Sequence, residues 1–417
     1  MSELAFYLLE TSWTAFLFGA LIFDIPRYSF SLISLSLLAI MKRAKVPPIE
    51  GKGRSISVIL PTFNGGAELG QALASLRRQS LQPLEIIVVD DGSTDDTRAV
   101  AQRARRDGLI DLVICHGTRC GRSAAVNAGA RFARGDLLLT ADADTVFDPT
   151  TLERLAAAFE DPKLAVASCN IDVKNEGETI TTGLQSMEYL MSLSAGRSFL
   201  ETLDAIACCS GACSMFRRDI FMQAGGLGVG PGEDLEVTLR LRRLGYGVRF
   251  VPEAWATTTV PSSVVNLLRQ RARWDRDALR IRLFMYGQFS LRQPSERLAE
   301  TLQRLDFIVL DLMPTLLFPF YILYVFITFG EAAGPFLIAV YLAMCLLTAV
   351  NIVLAYVLFN TSASLFSLLL IPLFPFYQGS ILKLARFATY SAEILFSSSS
   401  RDEFVPPRVR RALLGQS

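Results

Sequence analysis

Hydrophobic residues crowd both ends of the chain and mix with polar ones through its middle. Residues 13–23 are largely apolar, Asp24, Pro26 and Arg27 interrupt them, and residues 28–41 resume the run before Lys42, Arg43 and Lys45. A membrane crossing needs about 20 apolar residues. Residues 13–41 therefore predict one long helix kinked at Pro26, unless residues 4–12 join it despite Glu10. Near the other end, residues 307–329 and 335–359 are each long enough to cross. Residues 365–377 are marginal, with Pro372 and Pro375 inside them. Residues 381–396 set Lys383, Arg386 and Glu393 among apolar side chains, the pattern of an amphipathic helix lying in a membrane interface. Lys42, Arg43 and Lys45, and in the tail Arg401, Arg408, Arg410 and Arg411, place both flanks on the cytosolic side by the positive-inside rule.

Between these flanks the period changes. Residues 55–60, 85–90, 112–115 and 136–140 read as strands, and residues 67–79, 94–106 and 122–133 read as the helices between them. Alternating strands and helices predict a mostly parallel sheet, whose ligands sit at the carboxyl ends of the strands. The chain divides into a membrane anchor (1–50), a cytosolic α/β domain (51–300), membrane and interfacial helices (301–396) and a cytosolic tail (397–417). Glu3 and Glu10 stand where a cleaved signal peptide would carry cations.

Composition agrees with this division. Hydrophobic residues make up 51% of 417, too many for an ordinary soluble enzyme and too few for membrane spans alone. A net charge of +1, with scattered Lys and Arg, argues against nucleic acid as a partner. Seven cysteines without paired zinc spacing read as reduced thiols, with Cys115 expected to be buried in its strand. His116 is the single histidine, which leaves general-base chemistry elsewhere to a carboxylate.

Five constellations carry chemistry. Asp90-Asp91-Gly92-Ser93 ends the second strand, where a carboxylate can accept the imide hydrogen of a uracil and Gly92 permits close approach of a nucleotide. A turn followed by a helix cap at Ser93 or Thr94 is the alternative, and both can hold together. Asp142-Ala143-Asp144, just past the fourth strand, supplies hard oxygen ligands for Mg²⁺ or Mn²⁺ on a diphosphate; otherwise Asp142 caps a turn and Asp144 begins a solvated loop. Arg122, between Gly121 and Ser123, opens a helix where a cation and free amides could meet a phosphate, or is a surface cation. Glu233 and Asp234 follow a glycine-rich loop and begin a helix, a position that favours acids in any case. Asp234 is the candidate base for an acceptor hydroxyl, with Glu233 its substitute. Gln270, Arg273 and Trp274 share one helical face. There Arg273 can stabilise a diphosphate and Trp274 can offer a flat surface to a sugar, unless both simply anchor a helix at the interface.

Pro61-Thr62-Phe63-Asn64, Asp90-Asp91-Gly92-Ser93, Asp142-Ala143-Asp144, Gly232-Glu233-Asp234 and Gln270-x-x-Arg273-Trp274 stand in this order over about residues 54–280. The set resembles family 2 glycosyltransferases, and within them the membrane-bound hyaluronan, chitin and cellulose synthases. The resemblance implies an inverting α/β GT-A (nucleotide-diphospho-sugar transferase) domain flanked by transmembrane helices. It implies a UDP-sugar donor and Mg²⁺ or Mn²⁺ as cofactor. Carried over by motif, Asp90 and Asp91 hold uridine, Asp142 and Asp144 the metal, and Asp234 is the base. Gln270 and Arg273, with Arg122, would meet the diphosphate, and Trp274 the acceptor.

The run from Cys208 to Cys213, followed by Arg217-Arg218, is similar to the acceptor-side segment of hyaluronan and chitin-oligosaccharide synthases. That likeness places Ser210 and Gly211, with Glu233, beside the acceptor. The activity implied is processive β-glycan synthesis coupled to translocation across a bacterial inner membrane, with an export partner left open. The alternative is a non-processive membrane enzyme adding one sugar to a lipid or glycan acceptor. N-acetylglucosamine and glucose are the leading donor sugars. Two departures stand out: Arg122 where such enzymes often carry Lys, and Asp275-Arg276-Asp277 where many have a small or glycine-containing stretch.

Overall fold

Strands buried on both faces need helices on both faces, and the middle of the chain supplies them in alternation. The computed structural model describes residues 14, 15, 18, 19, 22–42, 53–228, 230–287, 294–361 and 364–397. Helix α1 (Asp24–Lys42) comes first. Then β1 (Ile56–Thr62), α2 (Gly66–Arg77), β2 (Glu85–Asp90), α3 (Thr97–Arg106), β3 (Leu112–Cys115), α4 (Arg122–Phe132) and β4 (Leu137–Ala141) alternate. The four strands pair in parallel, as their pattern predicts. Every residue of β1, β2 and β4 is buried. Val58, Leu60, Val88 and Leu139 pack into one apolar layer, while Ile59, Ile87, Val89 and Leu138 pack into the layer on the other face.

Beyond β4 the sheet becomes mixed. After β5 (Val146–Phe147) and α5 (Thr151–Ala157), strand β6 (Leu164–Val173) leads into α6 (Ile180–Glu188), a π-helical stretch at Tyr189–Gly196 and α7 (Arg197–Thr202). Strand β7 (Cys213–Arg217) then inserts antiparallel between β4 and β6. Helices α8 (Arg218–Gln223) and α9 (Glu233–Arg243) precede β8 (Gly247–Thr258), which completes eight strands in the order β3-β2-β1-β4-β7-β6-β8-β5. Cys115 corrects one expectation. It is exposed rather than buried, because it is the last residue of the edge strand β3. All seven cysteines are free thiols.

Helix α10 (Val264–Leu279) carries the Gln-x-x-Arg-Trp motif and joins this domain to α11 (Pro294–Phe307), α12 (Met313–Phe329), α13 (Ala333–Phe359), α14 (Leu365–Leu370) and α15 (Lys383–Phe396). Two helical runs, Leu298–Phe359 and Leu365–Phe396, are long and apolar enough to cross a membrane. The first breaks at Gly330–Ala332 into the two segments the apolar runs predict. Helix α13 alone has 27 residues, about 40 Å at the rise of an α-helix, against a hydrocarbon core of about 30 Å. Leu342, Leu346, Val353 and Val357 stand exposed along it. Residue 300, near which composition places a boundary, lies within α11.

The N-terminal helix bends at Phe23, close to the kink expected at Pro26, and Pro26 lies in the first turn of α1 where its missing N–H costs nothing. Residues 381–396 differ from the expected interfacial helix. Lys383 is 0% exposed and pairs with Asp24 at 3.0 Å, Arg386 pairs with Asp311 at 2.7 Å, and Glu393 is buried. The polar stripe of α15 is therefore a seam against other charges instead of a water-facing side. Arg43, Lys45, Arg401, Arg408, Arg410 and Arg411, which carry the argument about sidedness, lie outside the described residues.

Candidate active site

The carboxyl end of β4, the start of α4, the loop before β7, the start of α9 and one face of α10 close around a cavity of 1140 Å³. Arg122, Asp142, Asp144, Ser210, Gly211, Glu233, Asp234, Gln270, Arg273 and Trp274 all line it. The structure thus brings together residues that span most of the α/β domain.

Asp142 and Asp144 leave β4 on the cavity side. Burial first, and then the neighbouring Asp142 charge, push the Asp144 carboxyl above its usual range. Thr258, the last residue of β8, donates to Asp144 Oδ2 at 3.2 Å. Two carboxylates two residues apart, Asp142 with one oxygen on Arg122 and Asp144 with one on Thr258, present hard oxygen atoms, the donor set that suits Mg²⁺ or Mn²⁺. The residues present therefore fit a divalent cation. Asp91, His116 and Cys120 also bring potential ligand atoms within 4.8 Å of one another. There, however, both Asp91 oxygens are already engaged by backbone N–H groups.

Arg122 is the first residue of α4 and bridges the site. Its Nε donates to Asp142 Oδ1 at 2.9 Å, its Nη1 to Glu233 Oε1 at 3.1 Å, and its Nη2 to the carbonyl oxygen of Gly211. Burial works against the guanidinium charge, and Asp142 and Glu233 more than offset it. The substitution of Arg for Lys noted in the sequence has a geometric use here, because only a planar fork reaches three acceptors in fixed directions.

Glu233 and Asp234 begin α9 behind Gly232, which adopts φ +76°. A Cβ on Gly232 would lie 2.7 Å from Ile281, so the turn that aims both acids needs glycine in conformation and in space. Asp234 Oδ2 accepts the Gly211 N–H at 3.2 Å, and Oδ1 accepts the Leu235 N–H at 2.8 Å. Glu233 is tied to Arg122. Burial raises the Glu233 carboxyl, Arg122 opposes that shift and Asp234 adds to it.

Asp90 and Asp91, expected on the nucleotide, are engaged by the chain around them. Neither is among the residues lining the cavity. Asp90 is 0% exposed; its Oδ1 accepts the Ser93 N–H at 2.9 Å and its Oδ2 accepts Arg98 Nε at 3.2 Å. Asp91 accepts the N–H groups of Cys120 and Gly121 at 2.9 and 2.7 Å and holds His116 Nδ1 at 2.8 Å. The pair shapes the loop that forms one cavity wall. Gly92 likewise makes room for that loop: a Cβ there would meet the Arg119 nitrogen at 2.7 Å. The helix that follows starts at Thr97, with Asp95 Oδ1 accepting the Thr97 N–H, so neither Ser93 nor Thr94 caps it.

On α10, Gln270, Arg273 and Trp274 face the cavity together as the i, i+3, i+4 spacing requires. Gln270 Oε1 is buried without a hydrogen-bond partner, an acceptor aimed into a polar site. Sequence reasoning missed Arg271, inside the same pentad, and its partner Glu188. Arg271 Nη2 donates to Glu188 Oε2 at 3.0 Å, and its guanidinium lies 4.4 Å from the centre of the Trp274 ring. The i, i+3 spacing of Arg271 and Trp274 was a usable signal; Glu188, 83 residues upstream, left none. Arg197 and Arg282 also line the cavity and were not singled out.

Residues 57–225 match the family model of glycosyl transferase family 2. That stretch, about two fifths of the chain, is similar to family 2 glycosyltransferases. An N-acetylglucosaminyltransferase of Mesorhizobium japonicum is 32% identical over 253 residues, which cover 58% of this chain and 59% of the relative. One from Rhizobium leguminosarum bv. viciae is 33% identical over 239 residues, covering 54% and 56%. In both cases the match spans less than two thirds of the relative's own length. Among solved structures, a mannosyltransferase from Pyrobaculum calidifontis, in complex with GDP-Man and Mn²⁺, superposes with a TM-score of 0.60 at 18% identity. That superposition covers 92% of this chain and 99% of the other. The fold is GT-A-like.

Proposed function

We propose that the protein is a membrane-embedded inverting transferase that moves a sugar, N-acetylglucosamine first among candidates, from its UDP derivative to the end of a growing β-glycan. The observation that carries this reading is the convergence of Asp142, Asp144, Glu233, Asp234, Arg273 and Trp274 on one cavity. The choice of sugar is supported by the rhizobial relatives, which are N-acetylglucosaminyltransferases. The membrane reading is supported by the two long apolar helical runs.

In this mechanism Asp142 and Asp144 would hold a divalent cation, which when bound would supply positive charge to a leaving diphosphate. Arg122 and Arg273 bind and orient that diphosphate from two sides. Asp234 takes the proton from an acceptor hydroxyl as its oxygen attacks the anomeric carbon of the UDP-α-sugar. The bond from that carbon to the diphosphate breaks and UDP leaves with the electron pair, so configuration inverts to β. Trp274 holds the acceptor ring flat against the cavity wall.

The test is product analysis. Purified protein given UDP-N-acetylglucosamine, Mg²⁺ or Mn²⁺ and a chito-oligosaccharide is expected to give β-linked products longer by several units. An α-linkage would contradict the single displacement, and products stopping after one addition would contradict processivity.

A further inference from the structure

We propose that Glu188 and Tyr377 are positioning residues for the acceptor wall. They hold Arg271 against Trp274, so that the C-terminal helical run sets where the acceptor sugar stacks. The inference rests on the transferase reading above and adds to it residues outside every recognised motif.

Arg271 is only 8% exposed, and its guanidinium sits between two rings, 4.4 Å from the centre of Trp274 and 5.8 Å from that of Tyr189. Glu188 Oε2 accepts from Arg271 Nη2 at 3.0 Å and from the Tyr377 hydroxyl at 2.7 Å. Three segments distant in sequence thus converge on one carboxylate oxygen. Glu188 ends α6 in the glycosyltransferase domain, Arg271 lies on α10, and Tyr377 belongs to the run Leu365–Phe396.

Trp274 is 40% exposed: Arg271 covers part of the ring and the side chain lines the cavity. A buried guanidinium that loses its hydrogen-bonded carboxylate keeps only the weaker attraction of Asp275, and its position is no longer fixed. The ring stacked on it then loses its backing. A second tether acts one residue further along, where Asp275 pairs with Arg386 at 3.4 Å. This gives a use to the acidic stretch after Trp274, which sets the chain apart from many of its relatives. Helix α10 is fastened to the C-terminal run on both sides of the aromatic platform.

Glu188→Gln and Tyr377→Phe, each made with and without Trp274→Phe, test the proposal in the full-length, detergent-purified protein. Three quantities are read: KM for a chito-oligosaccharide, KM for UDP-N-acetylglucosamine, and the Trp274 emission obtained by subtracting each matched Trp274→Phe spectrum. Misplacing a reacting group by about 1 Å can cost ~100-fold in rate. Partial loosening is expected to raise the acceptor KM about 10-fold in Glu188→Gln. Loss of one hydrogen bond in Tyr377→Phe should raise it about 3-fold. The donor KM should stay constant, and the Trp274 emission should shift in both variants.

Tyr377→Phe removes a single hydroxyl group, so it keeps the test decisive if Glu188→Gln does not fold. Unchanged acceptor KM and unchanged Trp274 emission would overturn the proposal, as would equal changes in donor and acceptor KM. Should the wild-type protein release no UDP at all, the transferase reading fails. The emission shift then still decides whether Glu188 and Tyr377 position Trp274.

Discussion

Two adjacent carboxylates, Glu233 and Asp234, enter the same cavity in different states. Glu233 is committed to Arg122, while Asp234 accepts only backbone N–H groups from Gly211 and Leu235 among its recorded hydrogen bonds. Asp234→Asn should therefore lower UDP release by about 10²–10⁴-fold, the usual contribution of a general base. Glu233→Gln should act mainly by loosening Arg122 and raise the donor KM more than it lowers kcat. Steady-state kinetics on both variants separates the roles. Glu201 supplies a pH test away from the cavity. Burial pushes its carboxyl up to about 7, while it accepts the Phe250 N–H at 2.8 Å. A raised carboxyl pKa means the folded state binds the proton more tightly, so the ionised group opposes folding increasingly as pH rises from about 4.5 to 7. Glu201→Gln should raise Tm at pH 8, by on the order of 1–2 kcal/mol in stability. The gain should vanish near pH 4, as thermal melts across pH would show. At this scale the sequence singled out residue types with chemistry, and Asp142, Asp144, Glu233, Asp234 and Trp274 line one cavity. It could not show that Asp90 and Asp91 are occupied by Ser93, Arg98, Cys120 and Gly121, because those bonds depend on where the chain returns after β3.

Elements explain which parts of that grouping were legible. Strands β1 to β4 follow from continuous apolar runs separated by helical periods, and their register brings Asp142 to a carboxyl end by local sequence alone. The antiparallel insertion of β7 between β4 and β6 was not legible, since its neighbours are set by residues far away in sequence. Helix α4 tests the element scale. Arg122, as its first residue, ties β4 through Asp142 to α9 through Glu233 and to the loop at Gly211. Arg122→Lys keeps the charge but cannot reach three acceptors at once. Donor affinity is expected to fall about 10-fold with the fold intact, measured by UDP binding calorimetry alongside circular dichroism; unchanged affinity would mean the fork serves structure alone.

Across the whole molecule, buried ion pairs join parts that composition had kept separate. Asp24 near the N-terminus meets Lys383 near the other end at 3.0 Å, and Gln378 reaches Asp24 and Tyr28 from the same C-terminal run. Periodicity read residues 381–396 as an interfacial helix because it could not reveal a complementary charge more than 350 residues away. Asp24→Asn removes the carboxylate facing a fully buried ammonium group and should cost about 3–5 kcal/mol. The Asp24→Leu, Lys383→Leu pair should cost less than Asp24→Asn, and thermal unfolding in detergent compares them. These contacts fasten α1 to the C-terminal run, and Tyr377 and Arg386 fasten that run to α6 and α10 through Glu188 and Asp275, so the apolar helices and the elements lining the cavity are joined by polar contacts. The most direct test of that cavity's chemistry is UDP release by the purified full-length protein. UDP-N-acetylglucosamine, UDP-glucose, UDP-galactose and UDP-glucuronate would be offered with Mg²⁺ or Mn²⁺, beside the Asp234→Asn variant. The account predicts turnover with UDP-N-acetylglucosamine that needs the metal and is lost in the variant. Equal turnover by wild type and Asp234→Asn, or none with any donor in the presence of acceptor, would contradict it.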